Sequence, residues 1–217
     1  MKKALGILLI GLLSGSSHAL SGDRGGDALP RLLAGNHRYV TGTVAHPNQT
    51  AGRRRAVAGS QHPFAIILGC ADSRVPPEVV FDQGLGDLFV VRVAGNIADP
   101  AALASIEYAA EHLGVELIVV LGHSRCGAVD AAVKGGEAPG HLPVLIDAIM
   151  PAVEKTRDQP GDRLNNAVKA NALLVAEQLR TSDPVLSHLV QDGKLRVVAA
   201  LYDLDSGKVD VLTPKSK

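Results

Sequence analysis

The segment FAIILGCADSRVPPEVV, residues 64–80, joins two kinds of sequence within one short stretch. Its first half is almost entirely apolar, which is typical of a strand buried on both faces of a parallel sheet. The apolar run ends at Cys70, and Asp72 and Arg74 follow within four residues. A buried strand explains the apolar half, but it does not explain the thiol, the carboxylate and the guanidinium. The segment therefore predicts a strand that ends in a functional site.

The same alternation of an apolar run and a helical pattern continues downstream. DLFVVRVAG (residues 87–95) and ELIVVLGHSRCG (residues 116–127) are further apolar runs, and each precedes a helical segment. Such alternation indicates parallel strands joined by right-handed crossovers. The sequence KLRVVAALYDLDSGKVDVL (residues 194–212) predicts two strands around a hairpin turn at Asp205-Ser206-Gly207. The predicted fold class is α/β, with a mostly parallel central sheet, flanking helices and a C-terminal antiparallel hairpin strand.

Helical spacing of apolar residues also predicts an amphipathic helix over residues 29–39 and long helices within residues 142–191. Residues 50–63 are interpreted as a polar connection, in which Arg53, Arg54 and Arg55 are expected to form a solvated helix face and not a binding patch. Neither repeats nor low-complexity segments interrupt this order. A single domain is expected over residues 24–217.

The first nineteen residues differ from the rest. A cationic start at Lys2 and Lys3 precedes a run of apolar residues, and Ser17 and Ala19 suit the −3 and −1 positions of a cleavage site. This three-part pattern predicts a signal peptide over residues 1–19 and a periplasmic or secreted bacterial protein. The 22 basic and 22 acidic residues balance, which argues against a nucleic-acid partner and against membrane binding after signal removal.

Only two cysteines occur, Cys70 and Cys126, and export favours a disulfide between them. A metal site is the alternative, because His123 lies three positions before Cys126 at the end of another predicted strand. The carboxyl ends of parallel strands meet at one edge of a sheet. The pattern therefore predicts that Cys70, His123 and Cys126 hold Zn²⁺ and leave its fourth position free.

Asp72 and Arg74 favour the metal over the disulfide, since a disulfide uses neither side chain. Asp72 could occupy the fourth zinc position, or it could pair with Arg74 through two hydrogen bonds and hold a zinc-bound water instead. A hydrolase with a Cys–His pair also remains open, although no third member is evident. The chain lacks a phosphate-binding Cys-x5-Arg loop, a Cys-x-x-Cys motif and a Walker lysine.

Four segments together resemble the β-class carbonic anhydrases, in the form of an exported bacterial member: CADSRVPPE (70–78), GHSRCGAV (122–129), ALPRLLAGNHRYV (28–40) and RVAGNI (92–97). The resemblance implies that Cys70, His123 and Cys126 are zinc ligands and that Asp72 and Arg74 form the catalytic dyad. It also implies a carbon dioxide pocket, often completed across a subunit interface. The residues expected to line this pocket are Gln61, Val75, Phe89, Tyr108 and Gly95.

The implied reaction is the reversible hydration of carbon dioxide to bicarbonate and a proton, by attack of zinc-bound hydroxide that the Asp72–Arg74 dyad orients. Asp72 is a possible fourth zinc ligand at low pH. A homodimer or tetramer is the implied assembly. A family subgroup has an inhibitory bicarbonate site with a Trp three residues before the first Cys, where this chain has Ile67. The alternatives are a relative that hydrolyses carbonyl sulfide or carbon disulfide, and a non-enzymatic domain with a Cys70–Cys126 disulfide.

Overall fold

Five strands form one central sheet in the computed structural model, which describes residues 27–213. The predicted signal peptide therefore lies outside the described residues. The strand order is β2-β1-β3-β4-β5; the first four are parallel and β5 is antiparallel to β4. The predicted fold class is confirmed. The strands are β1 (Ala65–Gly69), β2 (Leu88–Arg92), β3 (Leu117–His123), β4 (Arg196–Tyr202) and β5 (Val209–Leu212).

Helices flank the sheet, and side chains cap several of them. Asp99 accepts the backbone N–H of Ala102 at the start of α4, and Asp162 accepts that of Asn165 at the start of α7. None of the described helices is both long and apolar enough to cross a membrane. The helices are α1 (Ala28–Val40), α2 (Ala51–Ala56), α3 (Pro77–Val80), α4 (Pro100–Glu111), α5 (Gly127–Lys134), α6 (Leu142–Lys155), α7 (Arg163–Arg180) and α8 (Val185–Gln191).

The interpretation of residues 50–63 as a connection needs a correction, because α2 forms within them. Thr50 caps α2 by accepting the N–H of Arg53 at 3.1 Å. The Arg53 side chain is not purely solvated, since its Nε donates to the carbonyl of Leu85 at 2.8 Å. Arg54 and Arg55 are exposed, as predicted. A six-residue helix with no buried residue has no apolar period that the sequence could reveal.

Two apolar clusters cover the two faces of the sheet. Ile67 and Val119 point to one face, where Leu32 of α1 and Ile149 of α6 meet them; we call it the α1–α6 face. Ile66 and its neighbours on β3 and β4 point to the opposite face, which α4 and α8 cover; we call it the α4–α8 face. Because β1 and β3 are buried at every position, both strands lack the polar alternation of a half-exposed strand.

Candidate metal centre

Three metal-binding side chains meet at the carboxyl ends of β1 and β3. Cys70 directly follows β1, His123 is the last residue of β3, and Cys126 immediately precedes α5. One ligand atom from each lies within 4.8 Å of the other two, and all three side chains are buried. These strands are neighbours, with Gly69 in register with Leu121, so the sheet itself brings residues from distant parts of the sequence together.

The protonation of His123 fits a metal ligand. Its Nδ1 lies 2.9 Å from the carbonyl oxygen of Ser124, which can only accept, so Nδ1 carries the proton and Nε2 presents its lone pair. Nε2 is fully buried and has no hydrogen-bond partner. Among the described residues, the only other buried side-chain nitrogen or oxygen atom without a hydrogen-bond partner is Nδ2 of Asn96. A buried nitrogen without a partner is costly unless it binds something, and a metal ion meets that need.

The two sulfurs also fit a metal better than a disulfide. Sγ of Cys70 and Sγ of Cys126 are 4.0 Å apart, and both cysteines are free. A disulfide would bring them to about 2.05 Å. Two thiolates bound to tetrahedral zinc at about 2.3 Å each would be separated by about 3.8 Å. The donor set therefore suits Zn²⁺.

Hydrogen bonds stabilise negative charge on Cys70. The S–H of Cys126 and the backbone N–H groups of Asp72 and Gly95 lower the pKa of the Cys70 thiol, although burial opposes them. The N–H of Gly95 is 3.3 Å from the sulfur and that of Asp72 is 3.5 Å from it. The hydrogen bond to Cys70, together with burial, raises the pKa of Cys126. The backbone N–H groups thus favour a thiolate at Cys70, the form in which a cysteine binds a metal.

Asp72 and Arg74 form the predicted pair beside the metal ligands. Arg74 donates from Nε to Oδ1 at 2.9 Å and from Nη2 to Oδ2 at 2.7 Å, and its backbone N–H donates to Oδ1 at 2.9 Å. These bonds, chiefly those of the side chain, hold the pKa of the Asp72 carboxyl well below its usual range. Oδ2 of Asp72 lies 3.8 Å from Nε2 of His123. A fixed carboxylate thus faces Nε2 of His123.

Arg92 is part of the site, although sequence reasoning gave it no role. From the end of β2 its Nε donates to the carbonyl of Cys70 at 2.9 Å, and its Nη2 donates to the carbonyl of Asp72 at 2.5 Å. Arg92 therefore fixes the backbone of the loop that carries both side chains. The only sequence feature that could have indicated this role is the position of Arg92 at the end of a predicted strand.

The hairpin between β4 and β5 holds the turn that carries the other two ligands. Ser124 Oγ accepts the N–H of Leu204 at 2.9 Å, and Arg125 forms two bonds with the carboxylate of Asp205, at 2.6 and 2.8 Å. Arg125 itself has a left-handed backbone, with φ of 52°. A non-glycine residue adopts this conformation only when its surroundings impose it. Contacts to a distant hairpin supply that constraint.

The five predicted pocket residues do not meet within one chain. Val75 is buried on the α1–α6 face with Cys70, and Gly95 is buried with its N–H directed at the Cys70 sulfur. Phe89 packs on the α4–α8 face, where its ring lies 6.4 Å from that of half-exposed Tyr108. Gln61 is exposed before β1. Their role toward substrate stays a prediction, and Gly95 has in addition the contact with Cys70.

Comparisons with known proteins agree with this geometry. The carbonic anhydrase family model matches residues 65–209. Carbonic anhydrase 2 of Mycobacterium tuberculosis is 41% identical over 181 residues, which cover 82% of this chain and 87% of the relative. The carbonic anhydrase of Mycolicibacterium smegmatis is 39% identical over 184 residues, covering 83% and 89%.

A similar solved structure comes from a study of two tetrameric β-carbonic anhydrases of the ascomycete Sordaria macrospora. It superposes with a TM-score of 0.70 at 28% identity, and the match covers 86% of this chain and 97% of the other. Sequence and fold lead to the same conclusion: the chain belongs to the β-class carbonic anhydrase family and is an enzyme of that family.

Proposed function

We propose that the enzyme catalyses the reversible hydration of carbon dioxide to bicarbonate and a proton, with Zn²⁺ held by Cys70, His123 and Cys126. The observation that carries the proposal is the buried, unpartnered Nε2 of His123, which lies together with two sulfurs and faces the carboxylate of Asp72. Such a zinc ion, with three protein ligands, supplies Lewis acidity that lowers the pKa of water toward neutrality.

Asp72 orients the nucleophile in this proposal. Its Oδ2 accepts a hydrogen bond from the attacking oxygen and directs a lone pair of that oxygen at the carbon of the substrate. Arg74 keeps the carboxylate ionised and holds it away from the ligand position. Ionised Asp72 can only accept, so it selects a nucleophile that still carries a proton. The same carboxylate, once released by Arg74, is the candidate for the fourth ligand position at low pH.

We also propose that a second subunit completes the carbon dioxide pocket. Phe89 and Tyr108 occupy the opposite face of the sheet from the ligand cluster of their own chain, yet half of Tyr108 is exposed. Exposed Tyr108, with half-buried Phe89 beside it, lies away from the site of its own chain and is suited to reach that of a neighbour. The Sordaria relatives are described as tetrameric, which supports an assembly of this kind.

Metal content and hydration rate test the function together. We expect the purified chain to contain one zinc per subunit and to hydrate carbon dioxide in a stopped-flow assay, faster at alkaline than at neutral pH. Cys70→Ser removes a thiolate ligand and should abolish both properties. Ser73→Ala, an exposed neighbour in the same loop, is the matched control and should preserve both. Full zinc content in Cys70→Ser, or a zinc-loaded wild type without activity, contradicts the proposal.

Export is a further part of the proposal. Residues 1–19 have the charge, apolar and cleavage pattern of a signal peptide, so the mature chain should begin at Leu20 in the periplasm or the medium. N-terminal sequencing of the protein from a fractionated bacterial host checks this expectation. A protein that retains Met1 and fractionates with cytoplasmic markers would contradict it.

A further inference from the structure

Gly95 occupies a backbone position beside Cys70 that other residues fit poorly. Its φ is 71°, in the left-handed region that favours glycine. A Cβ atom at this position would lie 2.6 Å from Cδ1 of Ile149 and 3.3 Å from Cβ of Ala128. The turn Ala94–Asn96 packs among β1, β3 and three helices, so it has little room to move. In this conformation the N–H of Gly95 is directed at the Cys70 sulfur, 3.3 Å away.

A buried asparagine holds the other side of the same residue. Asn171 lies on α7, only 2% exposed, and its Nδ2 donates to the carbonyl of Gly95 at 2.7 Å. The two residues are 76 positions apart in the sequence, so the fold and not the local chain creates the contact. Asn171 therefore fixes the orientation of Gly95 from a helix that carries none of the proposed metal ligands.

We propose that Asn171 is a positioning residue that holds the Gly95 N–H on the Cys70 sulfur and thereby tunes how strongly this sulfur binds the metal ion. The inference rests on the proposed function, because it takes Cys70 as a zinc ligand. Asn171 touches neither the metal nor the substrate, and it acts only through Gly95.

The physical basis is the charge of the thiolate. An N–H group that donates to a thiolate draws electron density toward itself, so the sulfur gives less charge to the metal and keeps one fixed direction toward it. The metal then stays more electrophilic, and the site is organised before the metal arrives. Asp72 supplies a second, longer N–H contact to the same sulfur, but that donor belongs to the loop of Cys70 itself. The N–H of Gly95 is the donor whose orientation depends on another element, the helix α7 that carries Asn171.

Asn171→Leu tests the proposal, because leucine keeps a similar volume and lacks the donor. We expect zinc affinity, measured by competition with a chromogenic chelator, to fall about 10- to 100-fold. In the cobalt-substituted protein, the sulfur-to-cobalt charge-transfer band should move to longer wavelength, because a thiolate with a weaker hydrogen bond gives up electron density more easily. Neither readout depends on catalytic activity.

Two control variants on the same helix separate positioning from general loss of stability. Asn166→Ala removes an amide-to-carbonyl bond of the same kind, from Nδ2 to the carbonyl of Pro160 at 3.1 Å, away from the site. Val175→Ala removes packing on the α4–α8 face. Both should keep the wild-type zinc affinity and cobalt spectrum. If Val175→Ala lowers zinc affinity as much as Asn171→Leu does, the effect is one of stability and the proposal is wrong.

A second variant keeps the test valid if Asn171→Leu folds poorly. Ile149→Val removes the Cδ1 atom that lies 2.6 Å from a Cβ at position 95, so Gly95→Ala in that background loses its severe clash and keeps the backbone strain and the tight 3.3 Å contact with Cβ of Ala128. This double variant should reproduce the cobalt shift, and Ile149→Val alone should not. Unchanged spectra and affinity in both Asn171→Leu and the double variant would overturn the inference. A wild type that binds neither zinc nor cobalt would instead overturn the proposed function.

Discussion

Arg74 determines both the position and the charge of Asp72. Two side-chain bonds and one backbone bond reach the same carboxylate, and they lower the pKa of the Asp72 carboxyl. A carboxylate next to a metal site would otherwise be free to rotate toward the metal. Arg74 therefore fixes the orientation of the Asp72 carboxylate as well as its charge, and a single positive charge at the same distance could not fix the orientation.

Removal of Arg74 should change the pH dependence as well as the rate. Because Arg74 lowers the pKa of Asp72, its loss raises that pKa, and the acid limb of the pH–rate profile moves to higher pH. We expect Arg74→Ala to lower kcat/KM about 100-fold at neutral pH, with the limb displaced in this direction. Stopped-flow hydration from about pH 4, near the ordinary pKa of an Asp carboxyl, to about pH 9 measures both effects.

Arg54→Ala is the control for the lost charge, because Arg54 is exposed on α2. It should leave rate and profile unchanged. A profile for Arg74→Ala that keeps its acid limb in the wild-type position would show that Arg74 does not control the ionisation of Asp72.

At this scale the sequence revealed the residues that carry unusual chemistry at strand ends. Cys70, His123 and Cys126 could be grouped because parallel strands end at one edge. Asn171 could not, because an asparagine inside a long helix has no sequence signal until the fold shows which carbonyl it faces. For Arg92, the sequence predicted its position at a strand end, but it did not predict the two carbonyl groups to which its side chain donates.

Among the elements, α1 depends on close contact with the segment after α3. Gly35 faces this segment, and a Cβ there would lie 1.9 Å from the carbonyl oxygen of Phe81, a backbone atom that cannot rotate away. Two bonds from the neighbouring Asn36 side chain, to the carbonyls of Val80 at 3.1 Å and Gly207 at 2.8 Å, fix the helix in the same place. These contacts therefore fix the distance between α1 and the segment after α3.

Gly35→Ala should destabilise the fold although alanine is a better helix former. The added methyl group forces α1 away from Phe81, and we expect a loss of about 1–3 kcal/mol in the free energy of unfolding. Urea unfolding followed by circular dichroism measures it. Gly52→Ala on α2 is the matched control, since its Cβ would meet only Thr50 Oγ1 at 3.6 Å, and it should be neutral or slightly stabilising. Equal stability of the two variants would contradict the predicted contact.

Strands and long helices were predictable because each carries a repeated apolar pattern. The three apolar runs in residues 64–127 became β1, β2 and β3, and the helix expected at residues 29–39 is α1. The bounds of the short helix α2 could not be predicted, because it buries no residue and so has no apolar pattern. The order of strands across the sheet also lies beyond local patterns, since it depends on which crossovers pass over which face.

At the scale of the whole molecule, the residues predicted to form the site lie on two faces of one sheet. Cys70 and Cys126 pack on the α1–α6 face, whereas Phe89 packs on the α4–α8 face beside Tyr108 of α4. If each active site uses the aromatic pair of the neighbouring subunit, a subunit without metal ligands can still supply an intact aromatic pair. A subunit without the aromatic pair can still supply intact metal ligands. This gives a test that needs no structure of the assembly.

Mixed subunits of Cys70→Ser and Tyr108→Ala should recover activity that neither variant has alone. Random pairing makes half of the dimers mixed, and each mixed dimer has one intact site, so recovery to about one quarter of the wild-type rate is expected. Co-refolding of equal amounts, followed by the hydration assay, measures it.

The control is a mixture of Cys70→Ser with Cys126→Ser. Both changes damage ligands of the same chain, so no mixed dimer has an intact site and no activity should return. If the Tyr108→Ala mixture likewise gains nothing above the average of its two components, Tyr108 serves its own chain or no site at all.

The 56-residue separation of Cys70 and Cys126 along the chain has a consequence for folding. A metal ion held by both sulfurs acts as a reversible cross-link, and by the chain-entropy argument used for disulfides a closed loop of this length is worth about 4 kcal/mol at 25 °C. In the folded chain the cross-link joins the ends of β1 and β3, which lie side by side in the sheet. If the chain binds zinc as proposed, removal of the metal should therefore weaken the pairing of the two central strands.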